Sequence, residues 1–379
     1  MVVIIACLTI WKTSDSFESA SQYLGRNLSD GVRGATINAI ASSMPELLTS
    51  LFFLINIRNA EGLSGGIGTT AGSAIYNSMV IPALVGIFVF FKLSSKKFEL
   101  TRKVIVRDGF FLLVIEVFFL FILSGENITW LDGLLLVLAY FAYLAIMFFT
   151  MKKSTKENPV AEFVENFEQG IQEKNKIVSL LKLNLTDVVV GNDQITSRKA
   201  WTLLVVSTFI MGLSCLFLVQ ACEYLGADSY VVPLFGELNG LNIPIMFVAL
   251  ILVSAASSVP DTIISIKDAQ KGNYDDAFSN VLGSNIFDIC FALGLPILLY
   301  TTIYGPFVMP ENIIEITLEL RIILIVITIT ALFIFLVGKY FTRTKAVSLM
   351  VIYCVFVTYV IIRGFDIDIP FQKVLLQIF

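Results

Sequence analysis

Residues 41–46 read Ala-Ser-Ser-Met-Pro-Glu, and residues 256–261 read Ala-Ser-Ser-Val-Pro-Asp. Each block is followed by a second one: Gly72-Ser73-Ala74-Ile75-Tyr76-Asn77 in the first case, Gly283-Ser284-Asn285-Ile286-Phe287-Asp288 in the other. The offsets are 261 − 46 = 215 and 288 − 77 = 211, so the repeat is in register with four extra residues in the first half. Upstream, Gln22-Tyr23-Leu24-Gly25 echoes Glu223-Tyr224-Leu225-Gly226, which extends the repeat beyond a short motif. Self-similarity at this distance implies a chain built from two like halves.

The surroundings of the blocks set the fold class. The chain has 379 residues, 56% hydrophobic and only 15% charged, with a mean hydropathy of +0.84. A soluble domain carries about 25% charged residues. Apolar runs of about 20 residues, Val104–Leu123 and Leu131–Thr150 among them, match the thickness of a bilayer. The class is an all-α polytopic membrane protein embedded in lipid. Ten spans are expected at about 1–24, 30–57, 67–91, 104–123, 131–150, 201–225, 243–267, 276–302, 320–338 and 345–362. The stretch at Met1–Ile10 has no basic flank or cleavage site and reads as a first membrane helix, not a signal peptide.

One polar stretch divides the spans into five and five. The expected organisation is a five-helix repeat over 1–150, a loop over 151–200 and a second five-helix repeat over 201–379. Five is odd, so the second half enters from the opposite side, giving an inverted repeat with its site at mid-membrane. The loops around 92–107, 151–200 and 339–345 are rich in Lys and Arg, whereas 58–66, 124–130, 226–242 and 303–319 hold only Arg58 between them. The positive-inside rule makes the basic loops cytoplasmic and puts both termini outside. Within 151–200, Val160, Phe163, Val164, Phe167 and Ile171 recur at helical spacing, compatible with a surface helix or a plain linker.

Several function classes drop out. The chain has no histidine, so a Ser-His-Asp triad and a His-ligated zinc or haem are excluded. Cys7, Cys215, Cys222, Cys290 and Cys354 form no CxxC pair and read as small packing residues. A net charge of −4 gives no footprint for nucleic acid. No cofactor is implied, and no protein partner is legible.

The motifs point to cations. Pro45 and Pro260 lie within apolar spans, and each deprives the carbonyl four residues back of its helical partner. In lipid such a carbonyl needs another partner. Ser42, Ser43 and Glu46 share one helix face, as do Ser257, Ser258 and Asp261. Ser73 and Asn77 are one turn apart, as are Ser284 and Asp288. These ligands are all oxygens, which suits calcium, sodium, potassium or manganese. Glu46, Asp261 and Asp288 fall at membrane depth, at a cost on the order of 3 kcal/mol each if uncompensated. Arg33, about three turns before Glu46, is expected nearer the cytoplasmic end. Gly65, Gly66, Gly68, Gly72 and Gly283 read as close-packing positions around the site. Glu116 stands alone in its span. Glu18 and Glu223 could line an access path.

The paired blocks resemble the alpha repeats of the cation/calcium exchanger superfamily, specifically the sodium/calcium exchangers. The family pattern is roughly Gly-Thr-Ser-x-Pro-Glu/Asp followed by Gly-Ser-Asn-x-Phe-Asn/Asp. The second half matches closely through Ser258-Val259-Pro260-Asp261 and Gly283–Asp288. The first is looser, with Ser42 for threonine and Ala74 for asparagine. Detailed resemblance covers 35–90 and 243–300. It implies Glu46 and Asp261 as central calcium ligands. Ser42, Ser43, Ser73, Asn77, Ser257, Ser258, Ser284 and Asp288 complete overlapping sodium and calcium sites. Backbone carbonyls of Ala39, Ser42, Ser254 and Ser257 also contribute. The resemblance further implies alternating access, with spans one and six sliding past the rest, and electrogenic exchange.

Two departures bear on selectivity. Asp261 is shorter than the glutamate of many members, and Asp288 resembles potassium-dependent members, leaving potassium dependence open. The expected function is a secondary antiporter, not an enzyme, exchanging Ca2+ for Na+ in a plasma or bacterial inner membrane. Proton coupling or another divalent cargo fits the same ligands. An intramembrane aspartyl protease built on Asp261 and Asp288 lacks the Gly-x-Gly-Asp context and leaves Glu46 unexplained. A channel would need a continuous pore, where an inverted repeat favours alternating access.

Overall fold

A chain this apolar must satisfy its backbone polar groups internally, and it does so by coiling. A computed structural model describes residues 2–24, 39–92, 97–150, 179, 183–191, 195–232 and 236–365. The helices are α1 (Val2–Leu24), α2 (Ala39–Ser42), α3 (Met44–Ile57), α4 (Ala60–Phe91), α5 (Arg102–Ile122) and α6 (Trp130–Thr150). Beyond the polar stretch come α7 (Leu185–Val189), α8 (Ser197–Gly226), α9 (Ile245–Ser257) and α10 (Val259–Gln270). They are followed by α11 (Tyr274–Tyr304), α12 (Glu311–Leu336) and α13 (Arg343–Gly364). The expected surface helix around Val160–Ile171, Arg33 and Gly25 lie outside the described residues.

Among the described residues, six helices are long and apolar enough to cross a membrane: α4, α6, α8, α11, α12 and α13. The bent pair α9–α10 makes a seventh if counted as one span. The difference from ten has local causes. α1 carries Lys12, Asp15 and Glu18, α3 has only 14 residues, and α5 carries Arg107, Asp108 and Glu116.

The central helix is α4. It is apolar all round with Gly and Ala interspersed, and 72% of its most apolar stretch is buried, as expected of a helix enclosed on every side. It packs against α3, α9, α10, α11, α12 and α13. A tight turn leads into it. Arg58 closes α3 in the left-handed conformation (φ 54°), and the Asn59 side chain caps α4 by accepting from the N–H groups of Glu61 and Gly62.

Short strand pairs tie the ends. β1 (Lys97–Glu99) pairs antiparallel with β6 (Tyr340–Thr342), and β2 (Asn127–Ile128) pairs antiparallel with β5 (Phe307–Val308). β3 (Ser229–Val232) and β4 (Gly236–Asn239) form a hairpin between α8 and α9. α5 runs from β1 to β2 and α12 from β5 to β6, so the two inter-loop pairs close opposite ends of an antiparallel helix pair. Phe98 on β1 stacks on Tyr274 and packs with Phe90, Phe278 and Phe341, making an aromatic knot at the end that holds Lys97, Lys339 and Arg343.

The α5–α12 contact also houses two buried ionisable side chains. Arg321 is fully buried. Its guanidinium donates to the Leu120 carbonyl (2.8 Å) and the Phe119 carbonyl (3.5 Å) in the last turn of α5. A cation there meets the negative end of the helix dipole. Glu116, a turn earlier and also fully buried, accepts a 2.6 Å hydrogen bond from Thr328. Its place is therefore an interhelical contact away from the repeated motifs.

Candidate cation site

Two breaks create the site. The span containing the first motif is interrupted at Ser43 (φ −95°, ψ 10°), between α2 and α3. The span containing the second is interrupted at Ser258 (φ −78°, ψ 2°), and α9 and α10 meet there at 41°. The two serines are 258 − 43 = 215 residues apart, the offset of the motif itself. Pro45 and Pro260 thus occupy the first turns of new helices, not helix interiors. In a first turn the missing N–H costs nothing, because it would be unpaired anyway. Expected as kinks, the prolines start helices.

Across the breaks lie the paired blocks on α4 and α11. The chain of α11 loosens into a π-turn over Asp288–Ala292, a distortion often associated with function. Ser42, Ser43, Glu46, Ser73, Asn77, Ser254, Ser257, Ser258, Asp261, Ser284 and Asp288 are all fully buried. Most are brought together by direct contacts.

Ser73 is the hub. Its hydroxyl lies 3.2 Å from Glu46 Oε1, 3.0 Å from Asp288 Oδ2 and 2.8 Å from Ser258 Oγ. Asn77 donates to it at 3.4 Å, and Ser258 reaches Glu46 Oε1 at 3.5 Å. Beside this group, Ser284 donates to Asp261 Oδ1 at 2.7 Å and lies 3.5 Å from the Ser42 hydroxyl. Every cluster mixes residues of both halves. The Ser43 hydroxyl is buried without a hydrogen-bond partner, and Ser257 donates to the Ser254 carbonyl at 3.1 Å.

The carbonyl positions are less decisive. The Ser254 carbonyl accepts from Ser257 Oγ (3.1 Å) and from the Ser258 N–H (3.0 Å), which engages it within its own helix. Ala39 is the first residue of α2.

The electrostatics are one-sided. The charges of Glu46, Asp261 and Asp288 act on one another. Glu46 Oε2, Asp261 Oδ2, Asp288 Oδ1 and Asn77 Oδ1 are buried acceptors without hydrogen-bond partners. A buried acceptor left unmet costs about 1–3 kcal/mol, more when charged. Among the described residues, no three acidic or sulfur side chains converge as a ready-made metal cluster. Hydroxyls stand between the acids instead. A set of oxygens with few carboxylates suits hard cations held reversibly.

The expected glycine role is visible at Gly65, where a Cβ would lie 2.7 Å from the Phe53 ring, and at Gly68 and Gly72, but not at Gly283, where it would meet only the Tyr143 hydroxyl at 3.9 Å. A Cβ on Gly68 would lie 2.6 Å from the Met246 carbonyl oxygen, and one on Gly72 would lie 2.8 Å from Ser254 Cβ. These glycines let α4 touch α9. Of the weaker candidates, Glu18 accepts from Gln22 on its own helix at 2.8 Å.

Sequence reading passed over three residues near the site. Cys215 on α8 points its thiol at the Pro45 carbonyl (3.8 Å), and the Tyr140 hydroxyl is buried without a hydrogen-bond partner. Asn285 bonds across to α4. Only Asn285, as part of the repeated block, carried a signal.

The chain is similar to several known proteins. The family model described as sodium/calcium exchanger protein matches residues 1–149 and 199–362. The sodium/calcium exchanger MaX1 of Methanosarcina acetivorans is 27% identical over 94% of this chain and 96% of its own. Human sodium/potassium/calcium exchanger 5 is 27% identical over 74% of this chain, which spans 65% of that relative's length. Among solved structures, the H+/Ca2+ exchanger CAX matches with a TM-score of 0.60 at 13% identity, covering 96% of this chain and 88% of that one. The sodium-calcium exchanger NCX_Mj, soaked with Na+ and Sr2+, matches with a TM-score of 0.51 at 19% identity over 93% and 95%. At those identities the two structures speak for the fold alone. The family match spans both halves of the chain and both motif blocks, and the chain belongs to the sodium/calcium exchanger protein family.

Proposed function

We propose that this protein is a secondary active antiporter that exchanges Ca2+ for Na+ by alternating access. It is built from ten spans in two inverted five-helix repeats, 1–150 and 201–379, joined by the 151–200 loop. The observation that carries the reading is the Ser73 hydroxyl between Glu46 and Asp288, beside carboxylate oxygens with no partner. Such a cage needs positive charge, and a cation cargo supplies it. Ca2+ and Na+ would both use Glu46 and Asp261, so they compete. A ligand shifts only the state it binds better. Exclusive occupancy of one site then couples the two gradients.

The remaining ligands are Ser42, Ser43, Ser73, Asn77, Ser257, Ser258, Ser284 and Asp288, with backbone carbonyls of Ala39 and Ser254. The strand pairs support the inverted arrangement. A two-fold exchange of the halves carries the loop before α5 onto the loop before α12, and the loop after α5 onto the loop after α12. It therefore maps the β1–β6 pair onto β5–β2. The β1–β6 end gathers basic residues, which supports a cytoplasmic assignment for it.

Asp288, where the first half has Asn77, favours testing potassium as a co-substrate. The experiment is calcium uptake into sodium-loaded proteoliposomes diluted into sodium-free medium, with and without external potassium. Sodium-driven uptake that is lost in Glu46→Gln is the expected result. Uptake indifferent to the sodium gradient but driven by a proton gradient would move the counter-ion to protons.

A further inference from the structure

Besides the Ser73–Asp288 contact, the two motif helices are fastened to each other by the side chain of Asn285. Asn285 lies on α11, directly after Ser284 and three residues before Asp288, and is fully buried. Its Nδ2 donates to the main-chain carbonyl of Ala74 (3.0 Å) and to the Ser78 hydroxyl (2.9 Å). Both partners lie on α4, each one residue after a candidate ligand, Ser73 and Asn77. A carbonyl can only accept, so the amide nitrogen must be the atom facing α4. Asn285 Oδ1 is left buried with no hydrogen-bond partner.

The clamp crosses the repeat at its own register. Position 285 corresponds to 285 − 211 = 74, so Asn285 grips the residue equivalent to itself. That residue is alanine, and it returns no side-chain bond. The attachment between the helices at this level is therefore one-sided.

Position here controls the site. Ser73 on α4 must reach both Glu46 on α3 and Asp288 on α11, at 3.2 and 3.0 Å. Hydrogen bonds weaken steeply with misalignment, and calcium takes oxygens within a narrow range of about 2.3–2.6 Å. A shift of about 0.5 Å between α4 and α11 is enough to spoil such a constellation.

We propose that Asn285 is the positioning residue that sets the α4–α11 separation, and with it the cation affinity and size selectivity of the site, without touching the cation. The proposal rests on the antiporter reading above. Asn285→Leu keeps the bulk and removes the donor. Ser78→Ala removes one acceptor and leaves the Ala74 carbonyl bond. Equilibrium binding of radiolabelled calcium to purified protein, with barium as the larger competitor, is measured beside sodium-driven uptake.

The expected result for Asn285→Leu is a calcium dissociation constant raised about tenfold, the scale of losing a buried hydrogen-bonded pair. Its discrimination against barium narrows, and maximal uptake falls by less than about threefold. Ser78→Ala moves the same quantities by about threefold. Scaffolding alone would lower the yield of folded protein and leave the affinity and selectivity of the folded fraction unchanged. Wild-type affinity and selectivity in folded Asn285→Leu overturn the proposal. If that variant fails to fold, wild-type values in Ser78→Ala overturn it. Wild-type protein that binds calcium but shows no sodium-driven uptake overturns sodium coupling, and the clamp is still read from binding. If calcium does not bind, radiolabelled sodium reads it in the same variants.

Discussion

The first half and the second half carry the same blocks, yet around the cage four corresponding positions are unlike, three in residue and one in packing. Glu46 faces Asp261, a carboxylate one methylene shorter. Asn77 corresponds to Asp288, an amide to an acid. Ala74 corresponds to Asn285, the side chain that binds the halves together. Gly72 is pressed against Ser254 of α9, whereas a Cβ on Gly283 would meet only the Tyr143 hydroxyl, at 3.9 Å. The cage is thus symmetric in its hydroxyls and asymmetric in its charges and supports. The shared serines fix where a cation sits. The differences set how strongly it is held and from which side the walls press.

The most severe way to break the comparison is to neutralise either central acid. Glu46→Gln and Asp261→Asn should each abolish sodium-driven calcium uptake, because each removes a charge from a cage that, among the described residues, has no base in contact with it. Retained wild-type flux in a folded variant would remove the central claim. Asp261→Glu, which makes the halves alike at this position, should keep transport and shift calcium affinity by less than about tenfold, since glutamate keeps the charge and both carboxylate oxygens.

Equalising the second pair is the next test. Asp288→Asn turns the second block into a copy of the first at its last position. The expected effect is a rise of about tenfold or more in half-saturating calcium, the cost of exchanging a charged ligand for a neutral one. Any stimulation by external potassium should vanish with it. Potassium stimulation that survives in Asp288→Asn would place the potassium requirement elsewhere.

Much of this was legible beforehand because the decisive features are local and periodic. Oxygen side chains three or four residues apart share a face only of an unbroken helix: the motif grouped Ser42, Ser43 and Glu46, whereas the break at Ser43 sends Ser42 to Asp261 and Ser284 and Glu46 to Ser73. The in-register repeat paired that group with Ser257, Ser258 and Asp261. The spans were harder. A proline in an apolar run can kink a helix or begin one, and only the backbone at Ser43 and Ser258 tells which. Contacts between distant segments left little trace. Nothing near Cys215 announces Pro45, and Ala74 looked like a lapse from the pattern until Asn285 was seen bonded to its carbonyl.

Packing provides a milder contrast. Gly72→Ala would drive a methyl into Ser254 and the Leu250 carbonyl, while Gly283→Ala adds one in ordinary contact distance of a single hydroxyl. Overpacking costs about 1–3 kcal/mol. Gly72→Ala should therefore melt at a lower temperature in detergent and transport more slowly, with Gly283→Ala near wild type in both. Equal effects of the two would mean that α4 and α9 are not held at this separation during the cycle.

The smallest expected effect lies where α8 touches each half. The Cys215 thiol is directed at the Pro45 carbonyl, beside the first break, and the Cys222 thiol at the Ile245 carbonyl, at the start of α9, both at 3.8 Å. Thiols are weak donors, and such contacts are worth less than about 1 kcal/mol. Their positions differ more than their strengths. Pro45 adjoins Glu46, so a change in its carbonyl environment is felt one residue from a central acid, whereas Ile245 is separated from Ser258 by the whole of α9. Cys215→Ala should alter the uptake rate about two- to threefold, within the range of that energy, and Cys222→Ala should leave it unchanged. A larger effect from Cys222→Ala would make the entrance to α9, and not the break at Ser43, the point where α8 acts on transport.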